Sequence, residues 1–209
     1  LVNIQALLEP GKKDWAQIFV GYQPDNHIGR VVERLYKLKN KGIGPAEVCL
    51  SVLSPKIFHS GSKPGAGDIF IDGAGHFEIK ASVAKPGRLF DGRKAKVDMN
   101  TIQNVRDQLK IEKPRVNLKD LIAANPKQEQ VVALTKAIFR HVGNNIGGFV
   151  NAIMKKDEAT AKLEHTKMAY VNYQNMSAAG DDKFVGIIFM SLGGRWSNVV
   201  RNIDELVQN

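Results

Sequence analysis

The chain has 209 residues, 43% hydrophobic and 24% charged, a balance that fits a folded globular protein and excludes an intrinsically disordered one. A formal charge of +9 points to a polyanionic partner, nucleic acid or an anionic membrane surface, with solubility as the plain alternative. Cys49 is the only cysteine, which excludes an intrachain disulfide and a cysteine-rich zinc site and implies a reducing, intracellular (cytoplasmic) compartment.

Residues 1–26 mix apolar residues with Pro10, Gly11, Pro24 and Asn26, and read as a leading segment that packs on the body. The start has neither a signal-peptide pattern nor an initiator Met, as expected of a processed chain or a piece of a longer one. Ile28, Val31, Val32, Leu35 and Leu38 recur at helical spacing and predict a helix over 28–40. Gly42 and Gly44 break it, Pro45 suits the first turn of a second helix, and Ala46–Leu53 continues that helix up to Pro55. Cys49 falls in its apolar run and reads as a buried thiol.

After a loop over 61–67, Asp68–Asp72 and His76–Lys80 read as two strands around the turn Gly73-Ala-Gly75. Residues 84–96 are a basic, glycine-containing loop. Helices are predicted near 100–111, 117–124, 127–142 and 157–176, with glycines at 143, 147 and 148 arguing against one continuous helix over 127–155. Residues 183–191 read as a buried strand and 198–207 as a short helix. No apolar run approaches the roughly 18–20 residues that span a bilayer. The order predicts an α/β (α+β) fold, a single domain over 1–209 with a small mixed central sheet flanked by helices and a helical insertion over 98–155.

The chemistry concentrates in Asp68, Glu78 and Lys80. Strand side chains alternate faces, so Asp68, Phe70 and Asp72 share one face, and Glu78 shares a face with Lys80. A hairpin closed by Gly73–Gly75 sets Asp72 opposite His76, Phe70 opposite Glu78 and Asp68 opposite Lys80. All three polar groups then meet at one end, while Ile69, Ile71, Phe77 and Ile79 turn to the core. Two carboxylates facing one small space suit a hard divalent cation, which polarises a phosphoryl oxygen and acidifies bound water. Lys80 is placed to orient that water, or to stabilise developing charge. Phosphodiester hydrolysis uses all of these parts.

The run Pro64-Gly-Ala-Gly-Asp68 followed by Phe77-Glu-Ile-Lys80-Ala-Ser82 resembles the PD-(D/E)xK nuclease superfamily. The resemblance covers about residues 42–82. It implies a restriction-endonuclease-like core of helix, three strands, helix and strand, with 157–176 as the second helix and 183–191 as the last strand. It implies Mg²⁺, with Mn²⁺ as a substitute, held by Asp68, Glu78 and the main-chain carbonyl of Ile79. It also implies a supporting acid on the preceding helix, for which Glu47 in Gly42-Ile-Gly-Pro-Ala-Glu47 occupies the matching place. The family proline does not directly precede the first acid here; Gly67 does.

The plain reading of the same residues is an exposed hairpin with surface ion pairs. Glu47 alone is better explained by the helix dipole than by a ligand role, and Asp72 with His76 better by turn solvation than by a second acid–base or metal element. Lys85, Arg88, Arg93, Lys94 and Lys96 follow the site and are candidates to clamp nucleic-acid phosphates, or are solvated surface. Arg195 and Trp196 are placed to meet a backbone or base, with Trp196 equally a core residue. His141 and His165 have no metal-ligand spacing and read as structural. The expected function is a Mg²⁺-dependent DNA endonuclease or nuclease domain, without membrane attachment. The alternative is a non-catalytic DNA-binding or assembly module on that scaffold. The apolar residues over 131–153 pair subunits in a homo-oligomer or pack internally.

Overall fold

The computed structural model describes residues 1–38, 43–60, 67–82, 97–112, 117–177 and 184–208. The chain forms two compact units, Leu1–Arg88 with Ser177–Asn209, and Leu89–Met176. The first holds a six-stranded mixed sheet with helices packed on it; the second is helical among its described residues. No helix among the described residues is long and apolar enough to cross a membrane.

The first unit opens with α1 (Ile4–Leu8), β1 (Gly11–Asp14) and α2 (Trp15–Ile18). Leu7, Trp15, Ile18 and Phe19 are almost wholly buried. The leading segment is therefore a core element, and the Trp15 indole N–H donates to the Trp196 carbonyl at 3.2 Å. Helix α3 (His27–Tyr36) starts at Asn26, whose side chain accepts the Gly29 N–H at 2.7 Å. It ends four residues earlier than the periodicity predicts. Its last turn tightens, with Leu38 N–H bonding the Leu35 carbonyl, and Leu38 stays 43% exposed, so no burial extends the helix.

Helix α4 (Pro45–Leu53) places Ala46, Cys49, Leu50 and Leu53 in the core with Ile57, Ile69, Phe77 and Ile79. Burial pushes the Cys49 thiol up to about 12, so it is a packing group. The strands that follow are β2 (Ile57–His59), β3 (Ile69–Ile71) and β4 (Gly75–Ser82), then β5 (Phe184–Ser191) and β6 (Trp196–Val200). Their order across the sheet is β1-β6-β5-β4-β3-β2, with β4 and β5 parallel and every other neighbour antiparallel.

Residues 198–207, expected as a helix, divide instead between β6 and a short α10 (Ile203–Gln208). The β-branched pair Val199-Val200 is 1% exposed at each position and hydrogen-bonds β5, which outweighs any local helical preference. Asn202 then caps α10: Glu205 N–H donates to Asn202 Oδ1 at 2.9 Å, and Arg201 N–H donates to the Glu205 carboxylate at 2.7 Å.

The second unit holds α5 (Met99–Gln108), α6 (Leu118–Ala123), α7 (Gln128–Ile138), α8 (Gly147–Met154) and α9 (Glu158–Ser177). The break between α7 and α8 falls at the glycines, with Gly143 at φ +67°. Val131, Leu134, Phe149, Val150 and Ile153 pack into this unit's own core, so these apolar residues have an internal role. Ala161, Met168 and Ala169 of α9, the expected second helix of the sheet core, pack into the same cluster.

Candidate functional site

The hairpin that carries the site is tighter than the sequence predicts. Ala74 N–H donates to the Ile71 carbonyl at 2.9 Å, and Gly73 sits third in that turn at φ +76°, as a type II turn requires. The register pairs Ile69 with Phe77, Phe70 with His76 and Ile71 with Gly75. The expected pairs (Asp72 with His76, Phe70 with Glu78, Asp68 with Lys80) are therefore displaced by two residues. A shift of two preserves every side chain's face. Extending the register by one step sets Asp68 beside Glu78.

Ile69, Ile71, Phe77 and Ile79 enter the core on one face, as expected, and Glu78 and Lys80 lie on the other. His76 does not meet Asp72. Its ring packs 4.9 Å from Phe70 and its Nδ1 lies 3.3 Å from the Ser60 hydroxyl, while Asp72 is exposed in the turn.

Asp68 is half-buried just before β3, and its Oδ2 accepts the Ile79 N–H at 2.9 Å. This bond stands where the next β3–β4 ladder bond would fall, so the carboxylate terminates the pairing and is fixed against the Glu78–Lys80 segment. Gly67 is required by its surroundings. A Cβ there would lie 2.5 Å from the Phe77 carbonyl oxygen and 2.6 Å from its carbon, so only glycine permits the close approach.

Glu78 is buried and Lys80 nearly so, and the Lys80 ammonium donates to Glu78 Oε1. Glu47 is also buried, in the first turn of α4. Its Oε1 accepts the Gly44 N–H at 2.9 Å and its Oε2 stands 3.2 Å from His59 Nε2. The structure thus joins Asp68 to the strand bearing Glu78, Ile79 and Lys80, and places Glu47 with His59 on the α4 side of the sheet. His59 was not read as a site residue. Its signal is the alternation Ile57-Phe-His59 after Pro55, which turns it to the face that α4 covers. Pro64, Gly65 and Ala66 of the motif, and Lys85, Arg88, Arg93, Lys94 and Lys96, lie outside the described residues.

Of the remaining candidates, Arg195 donates to Glu33 Oε1 at 3.1 Å, and that carboxylate also accepts from the Tyr22 hydroxyl at 2.9 Å. Trp196 opens β6, with the Lys12 ammonium 5.4 Å from its ring centroid. His165 packs on Phe139 and Phe149, and burial holds its imidazole below the ordinary range. Its role is structural, as its sequence context indicates.

Among the described residues no group of three or more His, Cys, Asp or Glu side chains is placed to hold a metal. A cation here would rely on two carboxylates, Asp68 and Glu78, with the Ile79 carbonyl. These are hard oxygen donors, and a set this small suits Mg²⁺, which keeps several waters and takes substrate phosphate as a ligand. Compared with family models, with curated proteins and with solved structures, the chain has no match.

Proposed function

We propose that the chain is a Mg²⁺-dependent DNA endonuclease, or the nuclease domain of one, with a restriction-endonuclease-like core. The carrying observation is the Asp68 carboxylate bonded to the Ile79 N–H, next to a strand that presents Glu78 and Lys80 together on one face. The element order adds support. Helix α4, the antiparallel strands β2, β3 and β4, and then β5 parallel to β4 follow the sequence of helix, three strands and later strand that the resemblance implies.

In this reading Asp68, Glu78 and the Ile79 carbonyl would hold Mg²⁺, or Mn²⁺ in its place, while Glu47, engaged with Gly44 and His59 on the α4 side of the sheet, lies apart from that set. The bound ion supplies a polarised phosphoryl oxygen and a more acidic water. Asp68 is pre-oriented by the Ile79 amide, which lowers the cost of assembling the site. Lys80 carries a positive charge in a nearly buried position, where it acts more strongly than in water on negative charge developing at phosphorus. Gly44 and His59 fix the rotamer of Glu47.

The test is cleavage of supercoiled, linear and single-stranded DNA in Mg²⁺ and in Mn²⁺ by the parent, Asp68→Asn and Lys80→Met. Asp68→Asn retains an oxygen to accept the Ile79 N–H but removes the charge. Both variants should lose cleavage and keep DNA binding; either one cutting at the parent rate overturns the assignment. A second reading, a non-catalytic DNA-binding or assembly module, is favoured by the Glu78–Lys80 ion pair, which already neutralises one proposed ligand. Calorimetry showing no Mg²⁺ or Mn²⁺ uptake, together with salt-sensitive DNA binding, would select it.

A further inference from the structure

The strand register sets a row of rings beside the candidate metal site. Phe58 of β2 lies opposite Phe70 of β3, and Phe70 opposite His76 of β4. Their strand neighbours Ile57, Ile69, Ile71 and Phe77 enter the core, so alternation turns all three rings to the face that carries Glu78 and Lys80. Ring centroids are 6.4 Å apart for Phe58 and Phe70 and 4.9 Å apart for Phe70 and His76. The next row on that face is Ser60, Asp68 and Glu78, with the Ser60 N–H donating to the Asp68 carbonyl at 3.1 Å. His76 and Glu78 are two residues apart on β4, so the rings run about 7 Å from the proposed ligands.

Folding does not account for the outer end of this row. Phe58 is 52% exposed on the edge strand of the sheet, a place that proteins usually protect with charge. A cross-strand aromatic pair stabilises a sheet modestly, but here it leaves about half of Phe58 in water. Phe70 and His76 are half-buried beside it, so the row is open to a ligand from β2 inward. Position and charge say what that ligand is. A nucleic-acid strand with a phosphate at the metal site brings bases, flat and apolar on their faces, to within about 7 Å of it, two nucleotides at roughly 3.4 Å each. The net charge of +9 favours a polyanion and opposes docking of a second copy.

We propose that Phe58, Phe70 and His76 form a stacking platform for unpaired bases next to the scissile phosphate, which makes single-stranded DNA the substrate class of the nuclease site. The inference rests on the nuclease reading and deepens it by naming what is cut. Bases inside a duplex are stacked on both faces and reach such a surface only after unpairing. Every base of a single strand offers a π face, so the platform takes any sequence.

The experiment is binding of a labelled single strand, the same strand with abasic spacers, and the matching duplex, in calcium or EDTA to suppress cleavage. The proteins are the parent, Phe58→Leu, Phe58→Trp and Val52→Ala, each also sedimented alone. Phe58→Leu keeps an apolar side chain on the strand but has no ring, and should weaken binding of the single strand about five-fold. It should not change binding of the abasic strand, a result that a merely structural role would not give. Phe58→Trp should bind the single strand at least as well as the parent, and the emission it adds should be quenched there. Val52, 62% exposed on α4 across the sheet, is the control, and Val52→Ala should match the parent. Parent affinity in Phe58→Leu, an equal loss on the abasic strand, or unquenched emission in Phe58→Trp overturns the platform. So does a parent dimer that Phe58→Leu dissociates, which would make a second copy the occupant. In each of these cases cleavage by the parent still supports the nuclease reading. A parent that neither binds nor cuts DNA removes both.

Discussion

Lys80 and Glu78 are 12% and 7% exposed, two residues apart on one strand, and each is the charge that makes burial of the other tolerable. Truncating one of them takes a compensating charge away from a buried ion. Lys80→Ala is therefore expected to lower stability by about 3–5 kcal/mol in metal-free buffer. The double variant Glu78→Gln, Lys80→Met replaces the pair by a neutral amide and an apolar chain of similar length. It should stay much closer to the parent, although both variants are inactive under the proposed function. Urea unfolding of the single and double variants measures this, and an additive double variant would show that the two side chains do not couple. The shared face of this pair was legible from alternation alone. Their burial was not, because nothing local states what covers a strand.

Helix α3 is tied to the turn between β5 and β6 by a three-residue contact. Glu33 receives the Tyr22 hydroxyl and the Arg195 guanidinium, with Arg195 held at φ +49°. Burial opposes ionisation of Glu33, but hydrogen bonds from Tyr22 and Arg195, aided by the charges of Arg195 and Lys37, outweigh it and hold the carboxyl below its ordinary range. Burial, then the hydrogen bond to Glu33, pushes the Tyr22 phenol up to about 12. A phenol raised on folding contributes stability that is complete below its unfolded value near 10 and is lost as pH rises toward 12. The parent minus Tyr22→Phe difference in ultraviolet titration should show one phenolate forming near 12. In Glu33→Gln the same difference should move downward; an unmoved titration would mean that burial alone sets it. The elements themselves divide by how local their causes are. Helices α3 and α4 and strand β5 follow from periodicity, capping and apolar runs. Strand β1, Gly-Lys-Lys-Asp, has no strand preference of its own and exists because β6 offers it an edge. The hairpin register depended on whether the turn closed at Ile71 or one residue later, and only parity survived that ambiguity.

At the scale of the molecule, the mixed class and the helical run after β4 were legible from the order of patterns. The two separate hydrophobic clusters were not, since apolar spacing shows which face is buried but not which partner buries it. The second cluster packs around an acid-sensitive group. His165 packs edge-on against Phe139 with ring centroids 5.2 Å apart, and burial lowers its pKa because the charged imidazolium cannot be solvated there. Its folded value lies below its unfolded one, so the unfolded chain binds the extra proton first. The stability it contributes is complete above about pH 6.5 and is lost as pH falls from there through the folded value. Both tryptophans, at 15 and 196, belong to the first unit and do not sample this event directly. Amide exchange in α7, α8 and α9 does. Protection there should fall between pH 7.5 and 5.5 in the parent and hold steady in His165→Leu, which keeps an apolar side chain against the two phenylalanines. If His165→Leu loses protection over the same interval as the parent, the acid sensitivity of this unit originates elsewhere, and the ring is packing without titrating.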